Sequence, residues 1–156
     1  MAHADAPFIL ELLNDPDWIR YIGDKQVRSL EDARRYMTEG PMKLYATYGF
    51  GLWLVERKAD GESLGMCGLV KRDKLEDVDL GFAFLPRFRS QGYALEAAHA
   101  VLGYARSAFA LTRLVAITIP ANEPSQRLLE KLGFAYERVL DWTPGDPVRL
   151  YARRLS

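Results

Sequence analysis

The chain has 156 residues, enough for one domain around one main core, and its 49% apolar and 27% charged content is that of a globular protein rather than a disordered one. Lysine plus arginine and aspartate plus glutamate both number 21, so the net charge is zero, which argues against a general nucleic-acid or membrane-surface binder. The lone cysteine, Cys67, permits no internal disulfide; there is no apolar run of about 18 residues and no basic segment ahead of "FILELL", so no membrane span or signal peptide is expected and the cytoplasm is the default location.

Phe8, Ile9, Leu12 and Leu13 recur at helical spacing, and Asp15-Pro16 stops that helix. Ser29 has the chemistry of an N-cap for a second helix over Leu30 to Glu39, with Gly40-Pro41 beyond its end. Between the two, "WIRYI" is expected to pack under both. From Leu44 the pattern turns aromatic and branched, predicting a strand through "LYATYGFGLWLVER". Asp60-Gly61 then makes a hairpin turn into "SLGMCGLVKR", and "EDVDLGFAFL" is the third strand, ended by Pro86. Ala94, Leu95, Ala98, Val101, Leu102 and Ala105 mark one helical face. "RLVAITIP" reads as an apolar strand and "EPSQRLLEKLGF" as a short helix with Pro124 in its first turn and Gly133 past its end. "AYERVLDW" and "VRLYARRL" close the chain as two strands. The order predicts one mixed α/β domain over residues 1–156, an antiparallel meander leading into a β-α-β crossover.

The turn Arg89-Ser90-Gln91-Gly92-Tyr93-Ala94 lies where strand becomes helix. A helix entered directly from a strand leaves its first N–H groups unpaired, and the helix dipole adds partial positive charge, which suits phosphate. Gly92 allows close approach, Ala94 is small, and Arg87 and Arg89 add cations at the rim. Glycine at such a turn is also common with no ligand. Neither a Walker loop nor a dinucleotide fingerprint fits the glycine spacing.

"DLGFAFLPRFRSQGYALEAAHAVLGYA" resembles the acetyl-CoA-binding motif of the GCN5-related N-acetyltransferases (GNAT), whose Gln/Arg-x-x-Gly-x-Gly/Ala pattern is matched by Arg89, Gly92 and Ala94. "IPANEPSQRLLEKLGF" resembles the second family motif through Asn122, Ser125, Gly133 and Phe134, and together the two resemble the RimJ/RimL-type branch. The resemblance implies the GNAT fold, with helices on both faces of a sheet that splays between the strands ending at Leu85 and Ile119. It implies acetyl-CoA as cosubstrate: the pantetheine arm lies in the gap beside the backbone of Phe84 and Leu85, and the pyrophosphate rests on the N–H groups of about Gln91 to Leu95. Ser90 and Tyr93 belong to the same turn. No metal is implied, and two histidines and one cysteine do not make a metal site.

Acyl transfer to an amine needs a neutral amine, a donor for the developing oxyanion and a stabilised thiolate. The resemblance implies that Asp79 accepts the amine's proton through water; the alternative is an exposed strand carboxylate sharing a face with Asp77. Glu76 and Asp77 are weaker candidates. Many relatives carry a tyrosine where this chain has Leu129, so the thiolate falls to Ser125, which could instead satisfy local backbone N–H groups. Asn122 either binds cofactor amides or caps the helix. Cys67 reads as a small buried residue. Trp18, Tyr21, Tyr45 and Trp53 are expected in the core or shaping the acceptor side, with Trp142 and Tyr136 lining it from the other end.

Relatives of this type usually begin with a strand ahead of the first helix, and "MAHADAPF" resembles only the end of that segment. Either the strand is absent or the chain was started late. Its loss leaves an open sheet edge that a partner chain would cover, making a homodimer. The leading reading is an acetyl-CoA-dependent N-acetyltransferase acting on a protein N-terminus or a small amine. A CoA-binding module without turnover is the alternative, and a nucleotide-binding protein without CoA specificity is a third reading.

Overall fold

The computed structural model describes residues 1–155. Four helices come first: α1 (Ala6–Leu13), α2 (Pro16–Tyr21), α3 (Leu30–Glu39) and α4 (Pro41–Tyr48). The meander β1 (Leu52–Glu56), β2 (Ser63–Val70) and β3 (Asp79–Phe84) follows, then α5 (Tyr93–Phe109), β4 (Arg113–Thr118), α6 (Glu123–Lys131), β5 (Ala135–Thr143) and β6 (Asp146–Arg154). The sheet order is β1-β2-β3-β4-β6-β5. Only β3 and β4 are parallel, as a strand–helix–strand crossover through α5 requires.

The expected strand from Leu44 is corrected: Leu44 to Tyr48 is the end of α4. Gly40-Pro41 stops α3 and at once starts the next helix, because proline at the first helical position loses no hydrogen bond. Gly49, at φ 80, ends α4 in a left-handed cap, so strand pairing waits until Leu52. Tyr45 donates its hydroxyl to the Leu52 carbonyl, tying α4 to the edge strand.

Alternation along β2 divides the core. Leu64 and Met66 face α1 and α3, packing with Ile9, Leu12 and Met37. Cys67 and Leu69 face the opposite layer, with Ala98, Leu102 and Ala105 of α5. Both faces of the sheet are therefore covered by helices. Among the described residues no helix is long and apolar enough to cross a membrane.

What positions the site is a failure of pairing. β3 and β4 meet in register only at Asp79 opposite Val115, where the Val115 N–H reaches the Val78 carbonyl at 3.1 Å. Beyond that point the strands splay.

Candidate active site

The splay is continued by two adjoining cavities that share lining residues, one of about 820 Å³ and one of about 400 Å³. Phe82 and Ala83 of β3, Trp18 and Tyr21 of α2, and Asn122 and Ser125 at the start of α6 line both. The smaller lobe runs toward Arg89, Ser90 and Ala94; the larger holds Arg72, Asp79, Tyr36 and Trp142.

The turn at the smaller lobe gathers donors that have no protein partner among the described residues. Ser90 at φ 60 and Gly92 at φ 86 are both left-handed, which turns successive N–H groups toward one side. The first capped N–H of α5 is that of Glu96, which reaches the Gly92 carbonyl at 3.0 Å. Among the described residues the N–H groups from Ser90 to Leu95 meet no protein acceptor. A chain of unpaired donors at the N-terminus of a helix fits a pyrophosphate. Gly92 is required by its dihedral rather than by space, since nothing lies within 4 Å of where a Cβ would be.

The arginines expected at the rim do something else. Arg87 is turned away to Glu11, at 2.5 Å, and lines neither lobe. Arg89 borders the smaller lobe, yet its guanidinium is committed: to Asp15 at 2.9 Å, to Asp17 at 2.5 Å and to the Phe84 carbonyl at 2.9 Å. Asp15 is itself the N-cap of α2, so this fork clamps α2 against the end of β3. Both arginines have carboxylates within reach that the local motif did not reveal.

The backbone in the gap also differs from the expectation. The Leu85 N–H is held by the Leu64 carbonyl and its own carbonyl by the Phe88 N–H. Leu85 therefore offers nothing to an arm lying in the gap. In an antiparallel ladder alternate residues direct both backbone groups to the same side. With Leu85 facing β2, the residues facing the gap are Phe82 and Phe84. Arg89 already occupies the Phe84 carbonyl, which leaves the Phe84 N–H and both groups of Phe82.

Ser125 stands where the lobes join. Asn122 is the N-cap of α6, its Oδ1 accepting from the Ser125 N–H at 3.3 Å. The Ser125 hydroxyl is left without a protein partner among the described residues, so it is not spent on local backbone. Gln126, which the sequence reading passed over, is buried and donates to the Ile119 and Pro120 carbonyls at 3.3 and 2.9 Å. It fixes the bend from β4 into α6 and so the place of Ser125. Leu129 is buried beside the larger lobe.

Asp79 is not an exposed strand carboxylate. It is 1% exposed, with Oδ2 accepting from Arg72 Nε at 2.7 Å and Oδ1 meeting no donor. Burial pushes its pKa up from the ordinary 3.8, while Arg72 and then Lys71 pull the other way. A buried carboxylate oxygen without a protein donor calls for a water or a ligand N–H. Asp77 faces Arg113 at 3.1 Å, and neither Asp77 nor Glu76 lines the cavities. Trp142 lines the larger lobe as expected; Tyr136 packs on Tyr151 outside it. Burial raises the Cys67 thiol to about 12, making it inert. Among the described residues no group of metal-ligating side chains is present.

Residues 1–135 match the family described as the acetyltransferase (GNAT) domain. The chain belongs to that family. It is 33% identical over 149 residues to the protein YkkB of Bacillus subtilis (strain 168), covering 92% of this chain and 82% of that one. The N-acetyltransferase YoaA of the same organism is 31% identical over 137 residues, 87% of this chain and 77% of its own. The fold superposes on RimL, the ribosomal L7/L12 alpha-N-protein acetyltransferase in complex with coenzyme A, with a TM-score of 0.80 at 19% identity, covering 99% of this chain and 91% of that one. This GNAT chain is thus an N-acetyltransferase with the mixed sheet of its family.

Proposed function

We propose that the chain transfers acetyl from acetyl-CoA to a primary amine by direct attack within a ternary complex, in the manner of the RimJ/RimL-type branch. The observation that carries this is the arrangement of one cleft. The turn of unpaired N–H groups reaches one end of it through Ser90 and Ala94, a buried carboxylate stands at the other, and the free Ser125 hydroxyl lies where the lobes meet.

Acetyl-CoA supplies an activated thioester. The N–H groups of Gln91 to Leu95 hold its phosphates, Ser90, Gly92, Tyr93 and Ala94 shape the turn, and Phe82 with the Phe84 N–H lies along its arm. Ser125 donates a hydrogen bond to the sulfur as charge develops there. Asp79 receives the amine's proton through a water at Oδ1, with Arg72 fixing the carboxylate's orientation. Asn122 acts by capping α6 and so setting Ser125 in place. No metal is required for these steps. The sequence likeness to the N-acetyltransferase YoaA supports an amine acceptor, and the paired motifs at Arg89-Gly92-Ala94 and Asn122-Ser125 support the choice of branch.

The test is release of free thiol from acetyl-CoA against a panel of peptides and small amines, alongside calorimetric titration with CoA. Thiol release dependent on an amine supports the proposal. Tight CoA binding with no release against any amine would leave a CoA-binding module instead.

A further inference from the structure

The acceptor lobe has an unusual charge pattern. Three cations line it, Arg20, Lys25 and Arg72, against two carboxylates, Asp79 and Asp146. Asp79 is paired with Arg72, and Asp146 accepts from the Thr143 hydroxyl at 2.9 Å on the hairpin. Arg20 lies over the Tyr21 ring at 4.9 Å, and neither it nor Lys25 forms an ion pair among the described residues. The lobe thus carries an excess of positive charge, although the chain as a whole is neutral.

Arg72 is the centre of that pattern. Its Nε alone engages Asp79, and its two terminal nitrogens meet no protein acceptor among the described residues. The side chain is 40% exposed and lines the cleft, so those nitrogens are not a buried defect. The guanidinium is held in place from above, 5.8 Å from the Trp142 ring. Trp142 is held in turn by Lys74, whose ammonium lies 4.9 Å from the ring and donates to the Trp142 carbonyl. A planar guanidinium anchored at one nitrogen presents its other two as a fork matched to a carboxylate.

We propose that the acceptor is a small zwitterion, an amine with a carboxylate a few bonds away, and that the free edge of Arg72 binds that carboxylate. This rests on the reading of the site as an acetyl-transfer centre. One guanidinium would then orient both the base and the substrate: its Nε sets Asp79, and its far edge places the amine beside that carboxylate. Lys25 and Arg20, which line the same lobe, add to the field. A polyamine meets the reverse situation, bringing several positive charges to a lobe whose cations already outnumber its carboxylates.

The experiment compares phenylalanine, phenylalaninamide, phenethylamine and spermidine as acceptors at low ionic strength, with rates corrected to the neutral amine fraction. The aromatic lining of Tyr36 and Trp142 suits these probes. The expected result is a kcat/KM at least tenfold higher for phenylalanine than for its amide or for phenethylamine. That ratio should fall below about threefold in Arg72→Gln, recover in part in Arg72→Lys and shrink as salt is added. A calorimetric arm needs no turnover: with CoA saturating, N-acetylphenylalanine should bind at least tenfold more tightly than N-acetylphenylalaninamide. Acetylation that shows no carboxylate preference, or that favours spermidine, overturns the zwitterion proposal and leaves acetyl transfer intact. Carboxylate-selective binding with no acetylation of any probe supports the acceptor assignment and counts against acetyl transfer by this chain. Absence of carboxylate preference in both arms overturns the proposal outright.

Discussion

Asp79→Asn separates the two things a buried carboxylate does. The substitution keeps size and leaves an oxygen for Arg72 Nε, while Arg72 itself is exposed enough to stay hydrated. Burial raises the Asp79 pKa above 3.8, outweighing Arg72 and Lys71. An acid with a raised native pKa binds its proton more tightly folded than unfolded. Its contribution to stability is therefore full below the ordinary carboxylate range and is lost as pH rises through the native value. Removing the ionisation should leave stability at neutral pH unchanged or raised. Activity should move the other way. A positioned base contributes about 10²–10⁴-fold, or ~2.7–5.4 kcal/mol of barrier. An acceptor amine is mostly protonated near neutral pH, so the loss should be deepest at low pH and shrink as free amine accumulates. The assay is a pH–rate profile of both proteins with one good acceptor, paired with thermal unfolding at neutral pH. Superimposable profiles would refute the base assignment. A raised KM with kcat unchanged would reduce Asp79 to a contact made equally in ground and transition states. A melting point lowered by more than about 5 °C would refute the claim that ionised Asp79 is a net burden on the fold.

Gly92→Glu should weaken CoA binding at least tenfold in calorimetry while the chain stays folded, because a side chain at φ 86 strains the turn and its charge repels phosphate; unchanged affinity in a folded variant removes the turn from the site. Ser125→Ala should lower kcat by about tenfold with little change in CoA affinity, because the hydrogen bond strengthens only as the sulfur becomes charged; equal single-turnover rates rule that role out. Arg89→Gln should lower stability by ~1–2 kcal/mol by chemical denaturation, a figure kept low for an arginine partly exposed to solvent, since it releases Asp15, Asp17 and the Phe84 carbonyl together. Loss of CoA affinity with stability unchanged would instead return Arg89 to the phosphate.

What the sequence made legible was whatever rests on neighbours in the chain. The α5 stripe, the α3 cap at Ser29 and the meander–crossover order depend on local period and capping, and the structure follows them. The donor turn depends on Gly92 entering a helix directly, which is also local. The α4 boundary was lost because an aromatic, branched run suits a strand as well as a short helix; proline and glycine at its ends decide the matter. The arginines were lost for a different reason. Arg89 was assigned to phosphate by nearness to the turn, but its carboxylates lie 72 and 74 residues away and arrive only on folding. Arg72 gave no signal at all. It sits in a loop with no periodicity, and its partner Trp142 comes from the far hairpin.

That contrast follows from how the two halves of the cleft are built. On the proposed reading the cofactor half is bound by backbone N–H groups, which any sequence supplies once the turn is formed. A few residues that permit the turn therefore suffice, and they make a compact motif. The acceptor half is bound by side chains carried on α2, α3, the loop after β2 and the β5–β6 hairpin. Each is a separate segment, so a change at Arg72 or Trp142 can alter which amine fits without disturbing the turn that holds CoA. Selectivity of this kind leaves no contiguous pattern. It is found only where the fold brings Arg72, Asp79 and Trp142 to one wall, and on the proposed reading the free edge of the guanidinium there is what would distinguish one amine from another.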